Sequence, residues 1–191
     1  MFVALLDTAV LWPDLQRDCL LSLAADGVYR AIWSDAIIDE IHYTQVDKHI
    51  RHGFTHVQAE EKADHLITQM RTHFPDSSIQ GWEHLEGTFG LSDPNDEHVL
   101  AAAVLGQAGV IVTNDRGFTE DDIPEGLDVQ TPAEFVAYAV DLSPRRALRV
   151  LEDMCSRYTN PSRTGEEILD ILENRYQMSV AVDLLRTAAR D

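Results

Sequence analysis

Strand-length apolar runs alternate with helix-length stretches from residue 2 to about residue 140, and few folds accept that order. Phe2-Val3-Ala4-Leu5-Leu6 is apolar at every position, the mark of a strand covered on both faces. Tyr29–Trp33, Val110–Thr113 and a short run around Leu127–Val129 read the same way. The helical stretches between them have legible ends. Pro13 suits the first turn of a helix running to about Ala25, with Gly27 as its stop. Ser34 is placed to cap a helix whose Ile37, Ile38, Ile41 and Val46 lie mostly on one face. Thr55 with Gln58, and Thr131-Pro132 with Glu134, are capping boxes. Asp93-Pro94-Asn95-Asp96 opens an alanine-rich helix from Glu97 to about Leu105, closed by Gly106 and Gly109. Residues 75–92 carry turn signals and weak strand character, and no element is assigned there. The alternation predicts the α/β class, with a mostly parallel central sheet flanked by helices.

The pattern changes after Asp141. No further strand signal follows, and three amphipathic helices are expected: one opened by Ser143-Pro144, one by the capping box Thr164 to Glu167, and one capped by Ser179. Residues 1–141 therefore read as the main domain and residues 142–191 as a helical appendage. Consecutive short helices can form a helix-turn-helix, but plain packing is their commoner role.

Charge narrows the function classes. The net charge of −18 excludes a broad basic face for nucleic acid. The excess is local, because residues 144–191 hold 8 acids and 8 arginines and are neutral. Local ion pairs on helix faces are the expected role of those arginines. The longest apolar stretch, Val99–Val112, contains Gln107 and two glycines and is too short to span a bilayer. The apolar start lacks a basic segment and is interrupted by Asp7, so it reads as a strand and not a signal peptide. Cys19 and Cys155 are far apart and form no metal-spaced pair. Two reduced thiols in a cytoplasmic protein are expected.

Four acids stand where an α/β chain places chemistry: Asp7 after the first strand, Glu40 in a helix, Asp96 at a helix start and Asp115 after a later strand. Singly, each has an ordinary role. Asp7 and Asp115 could open turns, Glu40 could be a solvated helix acid, and Asp96 could cap its helix. Six histidines crowd residues 42–73, but no Glu follows His52 and no HExxH motif exists, so solvated helix faces are expected. His98 follows the third acid, as a supporting group or as helix surface. Trp12, Trp33 and Trp82 read as core or rim.

Taken in order with their flanks, the acids resemble those of the PIN-domain nucleases. The matching blocks are Phe2 to Thr8, Trp33 to Glu40, Asp93-Pro94-Asn95-Asp96-Glu97-His98-Val99-Leu100-Ala101-Ala102-Ala103, and Ile111 to Asp115. Within that family the chain is similar to the VapC-type toxins of toxin-antitoxin pairs, in a subgroup with a C-terminal helical extension. The resemblance implies a PIN-like three-layer sandwich and an RNA-hydrolysing enzyme using Mg²⁺ or Mn²⁺. It places Asp7, Glu40, Asp96 and Asp115 on the metal-binding acids, with Asp93 and Thr113 supporting them. Asp7 and Asp96 are then the principal ligands, Asp115 a further or water-mediated one, and Glu40 a ligand or water-orienting base. It further implies an RNA substrate, a cognate antitoxin that blocks the site, and a possible homodimer.

The chemistry fits independently of the family. Phosphodiester hydrolysis needs a nucleophilic water and a counterweight to transition-state charge, and divalent ions on hard oxygen ligands supply both. A bound cation also inverts the local acidic potential, leaving Arg116, Lys48, Arg51 and the C-terminal arginines as RNA contacts. A haloacid-type phosphoryl-transfer domain needs an acid two residues after Asp7, and position 9 is Ala. A receiver domain needs a late lysine, and Lys62 is the last. A PIN fold kept as a non-catalytic binding module is the remaining alternative.

Overall fold

The computed structural model describes residues 2–115, 117–118, 123–159 and 161–190. Its centre is five parallel strands, β1 (Val3–Leu6), β2 (Arg30–Ser34), β3 (Ser78–Ile79), β4 (Val110–Val112) and β5 (Asp128–Gln130), in the order β3-β2-β1-β4-β5. Leu5 of β1 pairs in register with Ile32 of β2 on one side and Ile111 of β4 on the other. Ala4, Leu5, Leu6, Ile32 and Ile111 are wholly buried, as strands covered on both faces must be. The strand order reverses between β1 and β4, and their carboxyl ends open on the crevice where such sheets bind ligands.

Helices α1 (Thr8–Leu11), α2 (Asp14–Ala25), α3 (Asp35–Arg51), α4 (His56–His73), α5 (Glu97–Leu105) and α6 (Pro132–Leu142) connect and cover the strands. The four-residue α1 has no sequence signature, since its apolar run continues that of β1. Pro13 is not in the first turn of α2. It stands just before it in extended backbone, separating α1 from α2, because a proline ring fixes φ and supplies no N–H to prolong α1. Ser34 Oγ accepts the Ile37 N–H at 3.2 Å and caps α3. The buried face of α3 runs Ile37, Ile38, Ile41 and Gln45, and Val46 is only half-buried. Gln45 takes the inward place by donating its side-chain N–H to the Trp12 carbonyl at 2.7 Å. The capping boxes at Thr55, Thr131 and Thr164 are all formed reciprocally. Residues 75–92 hold the two-residue edge strand β3 and a 3₁₀ turn, Trp82–His84, both too short for periodicity to reveal.

The C-terminal helices are α7 (Pro144–Arg157), α8 (Gly165–Tyr176) and α9 (Ser179–Ala188). Ser179 does not cap α9 but is its first residue. The start is set instead by Gln177, whose left-handed φ of 58° ends α8, and by Met178, which is buried and donates its N–H to the Leu172 carbonyl at 3.0 Å. Val180 consequently faces solvent, while Ala181, Val182 and Leu185 point inward. These helices pack on α2 and α6. Cys19 and Leu23 of α2 share one core with Val136 and Val140 of α6, Met154 of α7 and Val182 of α9. Each such fully buried side chain contributes about 1.5–3 kcal/mol. The extension thus completes the burial of two helices of the sheet domain.

Candidate metal centre

Asp7 leaves β1 at the middle of the sheet and is 8% exposed. Its Oδ1 accepts the Thr8 N–H at 2.6 Å, and its Oδ2 accepts the Thr113 hydroxyl at 2.6 Å. The Thr113 oxygen in turn accepts the Asp115 N–H at 2.9 Å. One hydroxyl therefore ties the end of β1 to the turn after β4. Burial pushes the Asp7 carboxyl up, and the hydrogen bonds from Thr113 and Thr8 only partly offset it.

Glu40 reaches the same end of the sheet from the second turn of α3. One oxygen accepts the Thr8 hydroxyl, and the other meets His98 Nε2 at 3.1 Å. Burial alone would raise Glu40, but the hydrogen bonds from His98 and Thr8 outweigh it and hold the carboxyl below its ordinary range. His98 is buried on the first turn of α5, which settles its place as inside the site and not on the helix surface. Burial works against its protonation, and Glu40 wins, so its imidazole is raised. Its Nδ1 is buried without a partner among the described residues.

Asp96 ends a 3₁₀ turn, Pro94–Asp96, that leads into α5. Its carboxyl is pushed up to about 6, first by burial and then by repulsion from Asp115, Asp93 and Asp7. Asp93 caps the turn by accepting the Asn95 N–H at 2.9 Å. Asp115 accepts the Gly117 N–H at 2.8 Å. A methyl added at Gly117 would lie 2.5 Å from Asp96 Oδ2 and 3.3 Å from Asp115 Oδ1. The two carboxylates therefore crowd the same side of a residue that has room only for hydrogen.

Glu97 is a functional support that the sequence reading passed over. It is 3% exposed and accepts four backbone N–H groups, from Gly87 at 3.0 Å, Phe89 at 3.2 Å, Gly90 at 2.7 Å and Leu91 at 2.9 Å. Burial alone would raise it, yet the four donors hold it low. Gly87 and Gly90 have φ of 77° and 73°, conformations that glycine adopts without strain. The available signal was an acid at a helix start preceded by a Gly-Thr-Phe-Gly loop. Thr8 was also missed, and it bridges Asp7 to Glu40.

The donor set suits a hard divalent cation. It consists of carboxylate oxygens, and Asp7 retains lone pairs beyond its two hydrogen bonds. No lysine or arginine side chain among the described residues forms an ion pair with Asp7, Asp96 or Asp115. Among the described residues, no three acid, histidine or cysteine side chains already close a ligand shell. The acids approach instead in linked pairs.

Other candidates lie apart from this centre. Lys48 pairs with Asp14 and Arg51 with Asp47, both at 2.6 Å. Arg116 falls outside the described residues. His42 pairs with Asp64 at 2.9 Å and His56 with Glu60 at 3.4 Å. Arg186 binds Glu166, Asp170 and Glu173, the local ion pairing expected of the C-terminal arginines.

The PIN domain family model matches residues 4–117, a span that takes in β1, β2, β4 and the four acids. The chain belongs to the PIN domain family. A second model, the VapC50 C-terminal domain, matches residues 132–187, from α6 to α9. This is therefore a VapC-like PIN protein with a C-terminal extension. No curated protein and no solved structure gives a match to it. The parallel sheet of this PIN protein brings Asp7 and Asp115 to its strand-order reversal, and α3 and the 3₁₀ turn before α5 bring Glu40 and Asp96 to them. No helix among its described residues is long and apolar enough to cross a membrane.

Proposed function

We propose that this PIN protein is a divalent-metal-dependent endoribonuclease and the toxin of a cytoplasmic toxin-antitoxin pair. The observation that carries the reading is the approach of Asp7, Asp96 and Asp115 at the end of the sheet with no lysine or arginine paired to them among the described residues; burial, and then repulsion from the neighbouring acids, raises Asp96 to about 6. Asp7, Asp96 and Asp115 would hold Mg²⁺ or Mn²⁺, with Asp93 and Thr113 supporting them. The ion, when bound, acidifies a water and offsets charge on the phosphate. Glu40 is fixed by Thr8 and His98 and stays ionised, so it can orient that water by accepting its proton in a hydrogen bond. Thr113 keeps Asp7 and Asp115 in register, and Glu97 fixes the loop beside Asp96. In this reading residues 1–141 form the nuclease and 142–191 its extension, and a cognate antitoxin and a second copy of the chain are its protein partners.

Purified protein with labelled RNA and Mn²⁺ or Mg²⁺ tests the reading. Cleavage should appear with the metal, stop with a chelator, and disappear in Asp7→Asn and Asp96→Asn. RNA bound but never cut under these conditions would make the chain a binding module.

A further inference from the structure

Arg175 and Tyr176, at the end of α8, border two depressions at once. One, of about 430 Å³, contains Thr113 and Asp115 of the metal centre. The other, of about 920 Å³, lies between Trp12, Lys48 and Arg51 on one side and Arg163 on the other. Thr44, one turn along α3 from Glu40, also lines it. The two meet at Arg175 and Tyr176 to give a trough leading from the acid end of the sheet along the C-terminal extension.

The charge of this trough departs from that of the chain. The three carboxylates of the larger depression already have cationic partners: Asp14 has Arg17 and Lys48, Asp47 has Arg51, and Asp170 has Arg186. The smaller depression adds Asp115 at the metal centre and Glu134, which is bonded to Thr131. Arg163 and Arg175 form no ion pair among the described residues and lie 5.6 Å over the rings of Tyr158 and Tyr176. Trp12 is 42% exposed at the trough's edge. Unpaired guanidinium groups beside aromatic faces suit a ligand with repeating phosphates and stackable planar groups.

We infer that the C-terminal extension builds, with the turn between α1 and α2 and with α3, a trough for the single-stranded RNA next to the scissile phosphate. Arg163 and Arg175 meet phosphates, and Trp12 and Tyr176 offer stacking faces. The direction of the strand rests on the nuclease reading of the acids, whereas the trough's affinity for RNA stands apart from it.

The test uses the full chain in chelator and a labelled single-stranded RNA of about 12 nucleotides, followed by fluorescence anisotropy against salt. Arg163→Gln with Arg175→Gln should weaken binding about tenfold and lower the slope of log affinity on log salt by roughly 1.4. The Lys pair at the same positions should restore the slope. Trp12→Ala should weaken binding about tenfold with the slope unchanged, and Trp12→Phe should recover it. Mn²⁺-dependent hydrolysis of bis(4-nitrophenyl) phosphate, too small to span the trough, should fall less in the Arg-to-Gln pair than RNA affinity does. The inference is overturned by unchanged RNA affinity and slope in that pair, by equal loss in the Lys pair, or by equal loss on the small diester. Retained RNA affinity with loss of a co-expressed antitoxin would also overturn it, in favour of a protein-docking site. Slope-dependent RNA binding by a wild-type chain that never cleaves would leave the trough standing and sink the nuclease reading.

Discussion

Two carboxylate-rich regions of this chain handle charge in opposite ways. Along α8, Glu166, Asp170 and Glu173 converge on one guanidinium, that of Arg186, at 2.8–3.2 Å. At the end of the sheet, Asp7, Asp96 and Asp115 approach one another, and among the described residues their partners are hydroxyls and N–H groups instead of a lysine or arginine. The first arrangement stabilises the chain as it stands. The second is costly to the fold without a bound cation, and an acid cluster of this kind at a ligand crevice supports the proposed cation site.

The largest effect expected from breaking that contrast is at Asp96. Asp96→Asn should lower RNA cleavage at least about 100-fold while raising the melting temperature of the metal-free protein by a few degrees. Cleavage assays with calorimetry check both, and a variant that melts lower would deny that the cluster is strained.

Glu97 sharpens the comparison, because it is a buried acid one residue away that is fully satisfied. Glu97→Gln should cost about 2 kcal/mol, since an amide turns donors toward donors. Its folded carboxyl is held below the ordinary value of 4.5, so its contribution is present above that value and fades as pH falls through the lowered one. Denaturant melts at several pH values should show the wild-type advantage shrinking in acid.

Asp96 has the opposite sign. With its carboxyl raised from 3.8 to about 6, the metal-free fold is favoured below 3.8 and loses that advantage as pH rises through about 6. Protons and cation compete for the same oxygens, so Mn²⁺ should bind about tenfold more weakly for each unit of pH below about 6. Isothermal titration at pH 5 and pH 7.5 would show it, and pH-independent affinity would remove Asp96 from the ligand set.

The smallest effect belongs to the satisfied region. Arg186→Ala should lower stability only slightly, as expected of a solvent-screened ion-pair network, and leave hydrolysis of a small diester unchanged. A large loss of that activity would mean that the two regions are coupled.

How far the sequence could be read followed the range of the interactions. Caps at Ser34, Thr55, Thr131 and Thr164 bond three residues along the chain, and they were legible. So were the buried strands and the order of the four acids. Not legible were α1 and the edge strand β3, which are too short for periodicity to show, and the start of α9 and the role of Glu97, which are set by backbone bonds six to ten residues along the chain. The Thr8 link to Glu40 spans 32 positions and the Thr113 link to Asp7 spans 106.

The sequence by itself determined the succession of strands and helices and which acids stand at their ends, because hydrogen-bonding periodicity and capping are local. Only the tertiary structure decided which of those acids approach one another with no lysine or arginine paired to them among the described residues, and that the extension packs on α2 and α6. Both depend on where side chains far apart in the chain finally come to rest, and desolvation and Coulomb repulsion act on that arrangement alone.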